Sequence, residues 1–168
     1  LVEEGFDVAI RITRLEDSAL IARKLGDFFL KICVTEEFLE RAGPINHPSD
    51  LARLPCIIDT NGKSHSNWRF IDEKGTGFSV PVGGHIEVNS PTAAVRAAAS
   101  GLGVAQVPAF IARSCLASGR VVSILEDYLP TDRGIYAIYP HRRYLPAKVR
   151  TFVDFLHGWF RRNPGIEA

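Results

Sequence analysis

The sequence predicts an α/β fold, and three observations carry the prediction. Short alternating or β-branched apolar runs recur along the chain, as in Phe6–Ile12, Phe28–Thr35 and Gly134–Tyr139. Helical patterns lie between such runs, most plainly at Ala147–Arg162. One stretch, His85–Arg113, reads as a whole strand–helix–strand unit. Alternation of this kind builds a sheet with helices packed on it.

The first strand is Phe6–Ile12, where Phe, Val and Ile alternate with Asp, Ala and Arg. A loop at Leu15–Ser18 leads to an extended stretch at Ala19–Leu25 and a buried strand at Phe28–Thr35. Glu36–Ala42 is a short helix, with acids in its first turn and Arg41 in its last, matching the helix dipole. Gly43 and Pro44 stop it. A helical turn follows at Leu51–Leu54, capped by Ser49 or Asp50. Cys56–Asp59 is a strand and Asn61–Asn67 a polar loop. Trp68–Ile71 and Phe78–Val82 form an antiparallel pair across a turn at Gly75–Gly77.

In the central unit, Ile86 and Val88 alternate with polar neighbours. Ser90 is placed as an N-cap and Pro91 as the first helical residue, where its missing N–H costs nothing. Thr92–Ser100 is Ala-rich, with Ala94, Val95 and Ala98 on one stripe. Gly101 ends the helix in the left-handed conformation, and Leu102–Val107 suits a buried parallel strand. Ligands of such units bind at the carboxyl ends of the strands. Asn89 and Ser90 therefore border a cleft, with the free amides of the following turn facing any anion. Plain capping also accounts for Ser90. Thr60 and Asn61 follow the Cys56–Asp59 strand at the same kind of end; the plainer reading is a polar turn.

Ala109–Ser118 is a helix ending at Gly119, Val121–Leu125 a strand, and Gly134–Tyr139 a strand stopped by Pro140. Ala147–Arg162 is the longest helix. Its apolar stripe comprises Val149, Phe152, Val153, Phe155, Leu156, Trp159 and Phe160, and Asn163-Pro164-Gly165 ends it. The chain leaves one set of elements near Val82 and returns near Gly134. That predicts a first lobe of residues 1–82 and 135–168 and a second of residues 83–134, with a cleft between them.

The 168 residues carry 46% hydrophobic and 23% charged side chains, ordinary for a globular chain, and a net charge of +1, too near neutral for a nucleic-acid surface. No apolar run reaches the roughly 18 residues a membrane span needs. Cys33, Cys56 and Cys115 are odd in number, far apart and set among apolar residues. They read as buried free thiols in a reducing compartment, without the CxxC spacing of a zinc site. The chain contains no Met and opens at Leu1, so it reads as a piece of a longer polypeptide.

Other features have plainer readings. Trp68 could stack on a ligand, but a lone Trp in a strand is more often core. Ser64-His65-Ser66 lacks a nucleophile elbow and an acid partner. His47, His65, His85, His141 and His157 lack metal-ligand spacing. Gly101-x-Gly103 follows a helix, so it is a cap and not a phosphate loop. Arg142, Arg143, Lys148 and Arg150 solvate the start of the last helix.

The order GFDVAIRI, SALIARKLG, HPSDLARLPCI, a lone W-R-F, VNSPTAAVRAAASGLGVAQVPAFIA, SGRVVSIL and IYAIYPHRRYLPAKVRTFVDFL resembles the effector-binding domain of a LysR-type transcriptional regulator, from Gly5 to about Phe160. The resemblance implies a fold like type II periplasmic binding proteins: two α/β lobes, two hinge crossings and a small-molecule site between the lobes. It implies that the loop with Arg11 and Thr13, at the carboxyl end of the first strand, faces the cleft; a solvent-exposed turn is the plainer reading. It implies that Val107, Pro108 and Phe110 form a pocket corner; core packing for Val107 and helix initiation for Pro108 are the plainer readings. Phe110 would suit a flat or aromatic ligand. The family's winged helix-turn-helix domain is absent from this chain, as are a first strand and helix ahead of Leu1, so the first lobe is incomplete. The Phe6–Ile12 strand then exposes an apolar edge, predicting a dimer across it or a poorly ordered lobe.

The expectation is a cytoplasmic sensor without catalysis, cofactor or metal. It binds a small anionic or aromatic effector, reaches DNA only through the missing domain, and forms a homodimer or tetramer in the full-length protein without touching a membrane. A solute receptor of a transporter is the alternative. An enzyme would need an acid/base pair or nucleophile, and none is visible.

Overall fold

The computed structural model describes residues 6–14, 20–62, 65–140 and 146–163. The expected loop at Leu15–Ser18, Ser64, His141, Arg142, Arg143 and the stop at Pro164-Gly165 lie outside them. The chain divides into two compact units, Leu1–Phe29 with Thr131–Ala168, and Leu30–Pro130.

The Leu30–Pro130 unit is built on a five-stranded sheet, in the order β7-β4-β8-β3-β9. These strands are β3 (Leu30–Val34), β4 (Pro55–Asp59), β7 (Gly83–Val88), β8 (Val104–Pro108) and β9 (Val122–Ile124). Strand β4 runs parallel to both β7 and β8, while β3 is antiparallel to β8 and β9. The expected parallel character of β8 therefore holds on one side only.

The expected lobe boundary near Val82 is not where the units divide. Strand β4 inserts between β7 and β8, which ties residues 55–59 and 83–108 into one sheet. The chain crosses between units at residues 29–30 and 130–131.

Helix α1 (Glu36–Ala42) has Thr35 as its cap, the side chain accepting from Phe38 N. The next helical turn is a 3-10 helix, Pro48–Arg53, and its cap differs from expectation. His47 caps it: Nδ1 accepts from Ser49 N, and the Asp50 carboxylate accepts from His47 N at 3.0 Å. Ser49 and Asp50 already lie inside the helix, so neither can be its cap. That backbone N–H is the main reason the Asp50 carboxyl is held below its usual range.

Helix α2 (Pro91–Ala99) starts at the Ser90 cap with Pro91 first, as expected. Gly101 takes φ +72° at its end. Helix α3 (Ala109–Ala117) follows β8 without a break. The strand expected at Val121–Leu125 shortens to Val122–Ile124, because Leu125 turns into the left-handed region, φ +57°. A hairpin of β5 (Asn67–Ile71) and β6 (Gly77–Pro81) completes the unit.

Successive strand residues point to opposite sides, so two cores form. Ala105 and Val107 pack with Cys33, Ile57, Ala94, Val95, Ala98 and Cys115 under α2 and α3. Val104 packs with Ile32, Ile58, Trp68 and Phe70. Trp68 is 5% exposed and is a core residue. All three cysteines are free and buried.

Two glycines squeeze β4. A Cβ on Gly84 would stand 2.0 Å from the Cys56 carbonyl oxygen. One on Gly103, at φ +155°, would stand 2.4 Å from that of Pro55.

The other unit holds a three-stranded antiparallel sheet, in the order β1-β10-β2. Its strands are β1 (Ala9–Thr13), β10 (Gly134–Pro140) and β2 (Leu20–Asp27). Helix α4 (Ala147–Arg162) packs on β2, with Arg23 paired to Asp154. Its bounds match the sequence pattern and its burial does not. Val149 and Val153 are buried, but Phe152 is 47% and Phe155 59% exposed. Among the described residues the sheet under the helix is three strands wide, too narrow to cover a broad stripe. Strand β1 is an edge whose Ile10 and Ile12 are exposed, as expected. Among the described residues no helix is long and apolar enough to cross a membrane.

Candidate functional site

Strands β7, β4 and β8 are parallel, so their carboxyl ends reach one edge of the sheet. This edge brings together Thr60 and Asn61, Asn89 and Ser90, and Val107, Pro108 and Phe110. Arg11 and Thr13 belong to the other unit.

Thr60 fastens the ends of β4 and β7. Its N–H and Oγ1 both donate to the Val88 carbonyl, at 2.8 and 3.2 Å. Asn61 turns back on Asp59, whose Oδ1 accepts from its N–H at 3.1 Å and from Nδ2 at 2.7 Å. Its amide donors are thus partly committed, and a carboxylate stands at the same edge. Asn89 is exposed. Ser90 accepts from Ala93 N at 3.5 Å, a long cap bond. Pro91 supplies no N–H, so the first turn of α2 presents fewer donors than an ordinary helix start.

Val107 is fully buried among the helix-side core, as the plainer reading had it. Its side chain packs and only its backbone belongs to the edge. Pro108 precedes α3 and makes no side-chain cap bond. Phe110, in the first turn of α3, is half-buried.

In the other unit, Arg11 and Thr13 lie within β1 and not in a loop after it, because the strand's pairing with β10 runs on to Thr13. Arg11 is exposed opposite Tyr136. Thr13 lies opposite Gly134, and its Oγ1 donates to the Arg14 carbonyl at 3.0 Å. Arg14, which the sequence pattern did not single out, is the more engaged cation. Its Nε pairs with Asp132 at 2.7 Å, and its Nη2 is buried with no hydrogen-bond partner among the described residues. Its position just past the end of β1 was the available signal.

Gln106 was also missed. It is the polar residue in the run Leu102–Val107, and its Nε2 is buried without a partner among the described residues. An amide inside an apolar strand run was the signal.

The charged side chain of β3 nearest in register is already neutralised. Lys31 lies opposite Val107 and pairs with Glu126 at 2.6 Å. That hydrogen bond holds the Glu126 carboxyl below its usual range. Burial pushes the Cys33 and Cys56 thiols up to about 12, so neither is a nucleophile near neutral pH. Among the described residues no group of His, Cys, Asp or Glu is arranged to hold a metal. His65 contacts the Gly62 carbonyl at 3.2 Å.

The model of the LysR substrate binding domain matches residues 1–161. The HTH-type transcriptional regulator PtxR of Pseudomonas aeruginosa is 34% identical over 164 residues, covering 98% of this chain and 52% of that protein. The HTH-type transcriptional activator AaeR of Escherichia coli is 28% identical, covering 95% and 52%. The chain thus spans about half the length of the curated relatives it matches. Among solved structures, full-length AphB, the Vibrio cholerae virulence activator, superposes with TM-score 0.77 at 26% identity, covering 95% of this chain and 54% of that one. The CrgA regulatory domain of Neisseria meningitidis gives TM-score 0.73 at 25% identity, covering 95% and 78%.

Proposed function

The chain belongs to the LysR substrate binding domain family, and from that premise we propose that it is the ligand-sensing domain of a bacterial transcription factor. It binds a small anionic or aromatic effector and transmits the event to a separate winged helix-turn-helix domain. The single observation that carries this reading is the shared edge at the carboxyl ends of β4, β7 and β8, lined by Thr60, Asn89, Ser90 and Phe110. Asn61, Pro108 and the backbone of Val107 complete the proposed contacts. Arg11 and Thr13 enter on the family resemblance alone.

The effector acts only through its differential affinity for two arrangements of the protein. DNA contact, cytoplasmic location and a homodimer or tetramer are parts of the same proposal for the full-length protein. The relatives are transcriptional regulators rather than enzymes, and they do not favour a transporter's solute receptor.

Thermal unfolding against a panel of small organic acids and aromatics tests the reading. Ligand at a hundred times its dissociation constant stabilises by about 2.7 kcal/mol, a rise of several degrees. Phe110→Trp and Asn89→Leu are expected to abolish the shift while keeping the unliganded melting temperature. Unchanged affinity in both variants sinks the assignment.

A further inference from the structure

The side-chain nitrogen of Gln106 is buried with no hydrogen-bond partner among the described residues. Gln106 lies on β8 two residues before its carboxyl end, in register with Ile32 of β3. Its strand neighbours alternate cleanly: Ala105 and Val107 face the helix-side core, and Val104 the opposite core. Gln106 shares the Val104 side, and Ile32 across from it is wholly buried. Gln106 itself is half-buried. Its side-chain nitrogen is the part shut off from solvent, with no acceptor among the described residues. A buried donor left unpaired costs more than an apolar group of similar size.

We propose that Gln106 is a specificity-determining residue of the effector site, donating its side-chain N–H to an acceptor oxygen of a small organic acid. The inference rests on the effector reading above and deepens it. The residue follows the β8 course toward Pro108 and Phe110, at the edge where Ser90 and Thr60 stand. Ligand arrival turns the amide of this half-buried side chain outward and pairs a donor that the free protein leaves without an acceptor. A site that reads a ligand by hydrogen bonding rejects analogues lacking the acceptor more strongly than an apolar pocket can. The free protein carries the cost of the unpaired amide, so binding and stability trade against each other at this one position.

The experiment measures unfolding of the wild-type chain, Gln106→Leu and Gln106→Glu against benzoate, salicylate, phenylacetate and succinate. Gln106→Leu is expected to melt at or above the wild-type temperature without ligand. Its affinity for any acid that shifts the wild type should fall about tenfold. Gln106→Glu, which replaces the donor with a carboxylate, should lose the response. An acid that binds Gln106→Leu as tightly as the wild type overturns the role of Gln106 and leaves the effector site standing. A Gln106→Leu chain that melts well below the wild type shows that the amide is paired in solution, and also overturns the proposal. If none of the acids shifts the wild type, the organic-acid class fails for the site as a whole.

Discussion

Thr60 and Val88 close the edge on which the proposed site stands: one carbonyl takes two hydrogen bonds, from the N–H at 2.8 Å and from Oγ1 at 3.2 Å. The backbone bond continues the β4–β7 ladder one residue past Asp59, which pairs with Val88. The hydroxyl bond is the redundant one. Thr60→Val should therefore cost less than about 1 kcal/mol of stability, since the carbonyl keeps its backbone donor. Denaturant unfolding measures that cost. The same variant should weaken the response to any acid that binds, as the hydroxyl is lost from the site.

The squeeze on β4 predicts a sharp contrast among glycines. Gly84→Ala and Gly103→Ala drive a Cβ into the Cys56 and Pro55 carbonyls, at 2.0 and 2.4 Å. Neither carbonyl can move without breaking the sheet. Each variant should lose about 3 kcal/mol or more, or fail to fold. Gly62→Ala has nothing within 4 Å among the described residues and should stay within about 0.5 kcal/mol of the wild type. Comparable losses in all three would contradict the close approach.

The two raised thiols predict the alkaline limb of stability. Cys33 and Cys56 move from 9.0 to about 12 in the fold, chiefly through burial. Between those values the unfolded chain releases protons that the native chain retains. Their stabilising contribution is complete below pH 9.0 and is lost as pH rises towards about 12. Each thiol should contribute a slope of about 1.4 kcal/mol per pH unit in that window. A Cys33→Ala, Cys56→Ala double variant should show a flatter alkaline limb. Native wild-type protein should also react slowly with a thiol reagent at neutral pH, and quickly once unfolded.

The Lys31–Glu126 pair acts at the acid end. Its hydrogen bond lowers the Glu126 carboxyl, so its contribution is present above the carboxyl's unfolded value and fades as pH falls through the folded one. The Glu126 side chain is 53% exposed, which screens the pair to less than about 1 kcal/mol. Glu126→Gln should remove that small acid-side dependence and leave the alkaline limb unchanged. A large loss at neutral pH would show that the pair does more than the geometry indicates.

Local signals in the sequence were enough for much of this chain. Helices α1 and α4 begin and end where charge placement, apolar periodicity and stop residues put them. The Ser90–Pro91 start of α2 and the left-handed Gly101 at its end follow from single-residue conformational preferences. The family likeness rested on the order of such motifs, and the LysR substrate binding domain match bears it out.

Tertiary structure decided what depends on distant partners. The boundary between units lies at residues 29–30 and not near Val82 because β3 pairs with β8 and β4 inserts between β7 and β8, pairings no local pattern encodes. The stripe on α4 stayed partly exposed because only a narrow sheet lies beneath it. His47 caps a helix through ring geometry rather than through a usual capping side chain. Gln106 reads as one polar residue in a strand, and only the fold shows its side-chain nitrogen buried without a partner among the described residues. Periodicity and capping act over a turn or two of chain and can be read from sequence. Strand order, coverage and the loss of a hydrogen-bond partner depend on segments far apart, so only the assembled fold determines them.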